Sequence, residues 1–474
     1  MKRFVRNCLG FVLLIPGALL PEFQARAQNF TNLHAFTGGS DGANPWGALV
    51  LSHNALYGTA YTGGSYQGGL LYAVNTDGSG FTNVHDFTTG DDGANPHDGV
   101  IVSGNTLYGT ATAGGTLGNG NIYSVNSDGS NFKTIYSFSG ATDGATPWGG
   151  LVLSGSTLYG TAKTGGGSGL GTVFRINIDG SGFTNLHTFT GGDGANPVAR
   201  LLLSGSTLYG TTQQGGATGN GTLFSLNTNG TGFTNFHHFS TTTGPALVNT
   251  DGASPQGPLF LAGNTLYGTA SSGGMFGFGT VFSLNTDGSG FNTIHSFSPT
   301  SGANQANQDG GFPIGGVILS DDTLYATAQV GGSGGAGTVF SVKTNGNSFF
   351  PLYNFSPIPA FNTPNSDGAY PLASLVLFGS TLYGTANSGG PSGYGSVFGV
   401  TVPAGPPELT ITTAGRNVIL TWSTNITGFT LQSTTNLDSA SFWSPVSPAP
   451  AAVNGLYTVT NPISGTQQFY RLSQ

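Results

Sequence analysis

The heptapeptide Ser156-Thr157-Leu158-Tyr159-Gly160-Thr161-Ala162 has six further versions in the chain, and the rest of the sequence is spaced by them. The seven tyrosines are Tyr57, Tyr108, Tyr159, Tyr209, Tyr267, Tyr325 and Tyr383, at steps of 51, 51, 50, 58, 58 and 58 residues. Self-similarity at such a period marks a repeat architecture, in which no unit buries its apolar faces alone.

The third copy shows what one unit contains. Leu151 to Leu153 is a short apolar run, Ser154 to Ser156 a tight turn and Thr157 to Ala162 a second strand; a glycine-rich loop follows. Thr172 to Ile176 then read as a third strand, Asp179-Gly180 as a hairpin turn, and Phe183 to Phe189 as a fourth strand. Runs such as Leu201 to Leu203 are apolar at consecutive positions, as in strands covered on both faces. No helical period intervenes. Four short strands repeated seven times predict an all-β fold, a seven-bladed β-propeller of four-stranded blades over residues 28–402. The fourth-strand pattern also begins at Phe30, before any complete unit, while the seventh unit stops after its third strand near Val402. Residues Phe30 to Phe36 are therefore expected to complete the last blade and close the ring.

Residues 1–27 have the pattern of a secretory signal peptide: basic Lys2, Arg3 and Arg6, an apolar run from Phe11 to Leu20, and Ala25-Arg26-Ala27 for cleavage. The protein is thus expected to be secreted or held at the cell surface, with no membrane span in the mature chain. Cys8 is the only cysteine and lies in that segment, so disulfides, thiolate metal sites and a cysteine nucleophile are excluded from the remainder. Losing Lys2, Arg3, Arg6, Arg26 and Glu22 leaves seven basic and 18 acidic residues, a formal net charge of −11. Such a chain has no electrostatic footprint for nucleic acid, and a monomer is expected.

The pattern Gly171-Thr172-Val173-Phe174, Asp179-Gly180, Leu186 to Phe189 and Asp193-Gly194-Ala195-Asn196-Pro197 resembles the GloVer-type tandem repeats of choice-of-anchor exported proteins. The resemblance spans residues 30 to 402 and implies export without implying an activity. Strand order is also similar to kelch propellers, although Phe or Tyr stands where kelch repeats have Trp in the outer strand, and Gly165-Gly166 comes later than the kelch glycine pair. Beyond a proline-marked linker at 403–408, residues 409–474 alternate in short strands and resemble a fibronectin-III-like or Ig-like sandwich, expected to serve as a spacer or attachment module.

In propeller topology the long connections emerge on one face, so the loop entering each unit and the loop between its second and third strands form the candidate binding surface. Each entry loop carries an Asp-Gly: Asp41, Asp92, Asp143, Asp193, Asp251, Asp309 and Asp367. A ring of carboxylates suggests calcium as a cofactor, while Asp before Gly equally serves a turn's own hydrogen bonds. From the last Phe of each fourth strand to this Asp there are 5, 5, 5, 4, 12, 12 and 12 residues, so the entry loops of the last three units are raised. Past the following proline stand Trp46, His97, Trp148, Val198, Gln256, Ile314 and Leu372, with Asp98 and Arg200 close behind. Trp46, His97, Asp98, Trp148 and Arg200 have the chemistry to stack on a sugar ring and bond its hydroxyls, or to plug the channel. Tyr66, Phe276, Phe278 and Tyr394 are further aromatic candidates in the second-to-third-strand loops. His34, His85, His187, His237 and His295, with Tyr136 and Tyr353 at the equivalent places, sit on separate units and are expected to pack or hydrogen-bond.

The only glutamates are Glu22 and Glu408, so a glycosidase would need two aspartates, and Asp98 has no evident partner. The expectation is a non-catalytic protein for extracellular binding or surface display of glycan or protein ligands. A carbohydrate-active hydrolase or lyase using Asp98, His97 and Arg200 is the runner-up, and a purely structural surface protein the third reading.

Overall fold

The computed structural model describes residues 29–302, 304–402, 409–414, 417–423, 430–435, 443–453, 456–462 and 468–473; the expected signal and linker lie outside them. Every regular element among them is a β-strand, and no helix is long and apolar enough to cross a membrane. The chain falls into two compact units on either side of Val402.

The first unit consists of seven antiparallel sheets; five have four strands, as the third does, and the first and seventh add a short strand, Ala43–Pro45 and Ala369–Pro371, paired with their motif strands. Val152–Ser154, Thr157–Ala162, Thr172–Asn177 and Thr184–Thr188 lie side by side in chain order. The turn after Val152–Ser154 is tight because Gly155 takes φ +57°. The later hairpin is held by the Asp179 carboxylate, which accepts from the Ser181 N–H at 2.8 Å and its hydroxyl at 2.7 Å. The glycine of the Tyr-Gly-Thr motif has a steric reason. Gly160 pairs with Phe174 across the sheet, and a β-carbon there would lie 2.6 Å from the tip of that ring. Cross-strand aromatic-over-glycine packing fills the space that a side chain would have taken.

The seventh sheet takes its last strand from the start of the chain. Phe30–Ala35 runs antiparallel to Ser396–Thr401, from Phe30 opposite Val400 to Ala35 opposite Ser396. Phe36, just beyond, is fully buried.

Three sets of contacts join neighbouring sheets. At the fourth-strand edge, each His or Tyr stacks on the Phe that opens the next fourth strand: His34 on Phe81 at 3.5 Å between centroids, Tyr136 on Phe183 at 4.2 Å, and Tyr353 on Phe30 at 4.3 Å, among seven such pairs. On the loop side, the N–H of the residue before each entry-loop proline donates to the previous unit's second-to-third-strand loop, as Thr146 does to Asn119 O at 2.9 Å and Asn44 to Tyr394 O at 2.8 Å. At the first-strand edge, a buried threonine in six of the seven motifs donates to the next unit, as Thr59 does to Asp98 O at 3.2 Å, Thr161 to Ala199 O at 3.2 Å and Thr385 to Gly47 O at 3.4 Å. Thr211, in the fourth unit, is buried without a partner.

The paired first strand begins at Val152, five residues past Pro147, so Trp148 to Leu151 form an irregular segment. Leu201 is buried, and the half-buried Leu202 and Leu203 pack against two different inter-sheet cores, as strands covered on both faces do.

In the second unit, Thr410–Ala414, Asn417–Ser423, Leu456–Pro462 and Ala451–Val453 form one antiparallel sheet. Ser444–Pro445, Thr430–Thr434 and Phe469–Ser473 form another. Val418, Leu420, Trp422, Leu431, Val459 and Tyr470 make its core.

Candidate functional site

Entry loops and second-to-third-strand loops pair with each other within every unit, as Ala145 does with Thr164 and Ala195 with Gln214, so they share one surface. In the last three units an asparagine two residues before the aspartate builds the raised loop. The Asn307 amide donates to Ser298 O at 2.9 Å and Gly310 O at 2.7 Å, while its oxygen accepts from the N–H groups of Gly310 at 2.9 Å and Gly332 at 2.8 Å. Asn249 and Asn365 repeat the pattern. The sequence signal was present and went unread: an asparagine precedes the Asp-Gly only in the units with long loops.

The seven aspartates are each engaged locally and are not brought together. Asp92 binds His85 Nε2 at 3.0 Å and the Thr88 N–H at 2.9 Å; Asp309 binds His295 Nε2 at 3.0 Å and the Ser298 N–H at 2.9 Å. Asp41, Asp193 and Asp251 meet His34, His187 and His237 in the same way, whereas Asp143 and Asp367 accept from the hydroxyls of Tyr136 and Tyr353. Two features of the sequence, the aspartate ring and the histidine series, are thus one repeated pair. Among the described residues no three His, Cys, Asp or Glu side chains gather to hold a metal ion. For Asp193, Asp251 and Asp309 burial works against ionisation, but the hydroxyl, backbone and histidine hydrogen bonds outweigh it and hold each carboxyl below its ordinary range. These carboxylates contribute stability that is present above the unfolded carboxyl pKa and is lost as pH falls through the lowered folded one.

Trp46, His97 and Trp148 do come together. His97 stacks on Trp148 at 4.2 Å and lies 4.9 Å from Trp46, with Tyr61 set edge-on at 6.0 Å. The ammonium of Lys163, a residue sequence reasoning passed over, sits 3.2 Å from the centroid of the Trp148 ring. A ring and an ammonium this close cannot share one face, so both faces of Trp148 are covered. Behind them, Asp98 accepts from the N–H groups of Gly99 at 2.7 Å and Gly150 at 2.8 Å, and from Arg200 Nη2 at 3.3 Å. Both oxygens of this carboxylate are thus engaged with groups of the neighbouring segments.

Burial pushes the His97 imidazole down to about 4; the Lys163 cation adds to this, while Asp98 and a hydrogen bond to the Trp148 backbone oppose it. The folded protein therefore holds His97 neutral where the unfolded chain takes up a proton. Stability should fall as pH drops below the ordinary histidine value of about 6.5, and the loss should level off below the folded value. His97→Gln should flatten this window, reducing the difference in unfolding free energy between pH 7 and pH 5 by on the order of 1–2 kcal/mol in urea titrations. An unchanged pH slope in the variant would remove His97 from this account.

The loop aromatics divide. Tyr66, Phe276 and Tyr394 are 59%, 38% and 37% exposed, whereas Phe278 packs on Phe312 at 5.3 Å between centroids.

Sheets of this kind, repeated in tandem and joined through loops on one surface, define an all-β, propeller-like repeat protein. The chain belongs to the Gloeobacter/Verrucomicrobia repeat family, whose model matches residues 19–163 and 119–308. No curated protein matches it. Among solved structures it is similar to TolB from Acinetobacter baumannii, at 14% identity and a TM-score of 0.36 over 60% of this chain and 59% of that one. It is also similar to oligogalacturonate lyase from Vibrio parahaemolyticus, at 10% identity and a TM-score of 0.47 over 80% and 95% of the two chains. A puromycin-hydrolyzing peptidase of Mycobacterium tuberculosis gives 9% identity and a TM-score of 0.49 over 82% and 59%. The match to TolB therefore spans less than two thirds of that protein.

Proposed function

We propose that residues 28–402 form a seven-bladed β-propeller closed by the strand Phe30–Ala35, and that this exported, monomeric protein is a non-catalytic scaffold binding extracellular ligands through its loop face. One observation carries the binding reading. Of the eight exposed large apolar side chains in this unit, seven (Tyr66, Leu117, Leu247, Met275, Phe276, Phe361 and Tyr394) lie in entry or second-to-third-strand loops. Only Phe378 lies elsewhere. Apolar and aromatic groups held in water on one surface, above a rigid array of sheets, are what a recognition face requires. Closure is supported by the ring stacks and loop hydrogen bonds, each set of which returns from the seventh sheet to its neighbours. The engaged state of Asp98 favours binding over hydrolysis.

The preferred ligand is a glycan, for which an exposed tyrosine or phenylalanine offers a flat apolar face. Trp148 supports the site rather than meeting the sugar, since His97 stacks on its ring and Lys163 covers it, while Trp46 lies beside His97. The C-terminal unit serves as a fibronectin-III-like spacer or attachment module. A glycan array probed with the secreted protein, with and without calcium, should give binding that Tyr66→Ala/Phe276→Ala/Tyr394→Ala weakens at least about tenfold, at unchanged thermal stability. Retained binding in the triple variant, or silence of the wild type across the array, would sink the glycan reading and leave the raised loops as a protein-binding surface.

A further inference from the structure

The third and fourth repeats carry the least bulk on the loop side. Their entry loops run 5 and 4 residues from the last Phe to the Asp, against 12 in the last three repeats, and no side chain between Gly165 and Gly169 or between Gly215 and Gly219 is larger than threonine. A β-carbon on Gly167, Gly192 or Gly219 would meet nothing within 4 Å. In this open bay Lys163 and Gln213 stand at equivalent places, each just past the end of a second strand. Asn196 ties them together: its side-chain amide donates to Lys163 O at 3.2 Å, and its carbonyl accepts from the Gln213 N–H at 3.0 Å.

Residues 28–402 hold five lysines and arginines. Lys133, Lys343 and Arg200 donate to Asp179 O, the Asp322 carboxylate and the Asp98 carboxylate, and Arg175 lies mid-strand opposite Tyr159. Lys163 alone borders the loop face, and its half-buried ammonium meets only the Trp148 ring, on the side away from His97. Burial shifts this ammonium downwards, and no carboxylate is near enough to oppose the shift. The Gln213 side-chain amide likewise has no hydrogen-bond partner among the described residues. Building on the glycan reading, we infer that this bay receives the carboxylate of an acidic sugar, held by the Lys163 ammonium and the Gln213 amide. Two donors from adjacent second strands suit an acceptor with two oxygens, and a single ammonium neutralises one charge, which fits a carboxylate rather than a dianionic phosphate. The nearest aspartates do not compete for the ammonium, since Asp98 is bound to Arg200, Asp143 to Tyr136 and Asp193 to His187.

The test is calorimetric titration of the full chain with cellotetraose and with the β-1,4-linked tetramer of glucuronate, which carries carboxylates in place of the hydroxymethyl groups. The acid should bind at least about fivefold more tightly at low salt, and the preference should shrink as added salt screens it. Lys163→Met keeps an aliphatic stem on Trp148 and should abolish the preference without changing the affinity for cellotetraose, whereas Lys163→Arg should retain it. Gln213→Ala should weaken binding of the acid about threefold. Lys343→Met, at the end of a third strand and bound to Asp322, is the control and should leave the preference unchanged. Equal affinity for the two tetrasaccharides, or a preference that survives Lys163→Met, would overturn the assignment and leave the glycan reading standing. Silence towards both would overturn it as well, and the glycan reading would then be decided by the array alone.

Discussion

Deletion of residues 29–36 should cost the first unit its fold, and the same eight residues reinserted behind Val402 through an Asp-Gly turn should restore it. The deletion removes Phe30, Leu33 and Phe36, the last fully buried, together with the Phe30–Tyr353 and His34–Phe81 stacks. At about 1.5–3 kcal/mol for each large apolar side chain, the loss is roughly 5–8 kcal/mol, comparable with the whole stability of a typical domain. It also bares Ser396–Thr401, a strand buried along nearly its whole length, as an open edge that invites aggregation. Restoration is expected because Thr401 N already donates to Asn29 O at 3.2 Å, so the two chain segments meet where every other sheet has its hairpin. Soluble yield and thermal unfolding of the three proteins decide the matter. A deletion variant that unfolds cooperatively at the wild-type temperature would show that the strand is dispensable.

Gly99→Ala should be strongly destabilising for the addition of a single methyl group. Gly99 belongs to the irregular segment before a first strand, and a β-carbon on it would stand 1.9 Å from the carbonyl oxygen of Ala48 in the neighbouring unit. The obstacle is main chain, which cannot swing aside as a side-chain tip would, and close-packed interiors transmit such a clash. A destabilisation of at least about 3 kcal/mol is expected, at the upper end of overpacking effects. Gly192→Ala is the matched control, since nothing lies within 4 Å of its β-carbon position and its φ is not positive. Urea unfolding that places the two variants within about 1 kcal/mol of each other would contradict this packing.

The strands were legible in the sequence because their determinants are local: a tight turn after each short apolar run, an Asp-Gly hairpin, and aromatic residues at constant offsets. The common offset of Trp46, His97 and Trp148 also announced that they would be neighbours. What they do to one another was hidden, because spacing between sheets is set by packing that no single repeat encodes. The coverage of Trp148 by Lys163 depends on a side chain from the end of the second strand, a position that varies from Tyr61 to Asn387 around the units. The residue before each entry-loop proline was misleading in a different way. Sequence alone predicts an extended conformation there. All seven instead take φ between 53° and 55°, including Thr146, Phe312 and Tyr370, which gain nothing locally from it. The hydrogen bond from that residue's N–H to the previous unit's loop holds the conformation against its intrinsic cost of roughly 1–2 kcal/mol.

The solitary hydroxyl of Thr211 points to a weak joint. Its counterparts fasten six junctions between units, and only the step from the fourth unit to the fifth lacks the fastening. That step is also where the repeat lengthens from 50 to 58 residues and where Pro258 takes the place held by Gly316 and Ser374 in the later units. Four short modules and three long ones thus meet at a seam less tightly bolted than the rest. That junction keeps its ring stack and its loop hydrogen bond and is short by one hydrogen bond, so local opening should cost less there than at the other six.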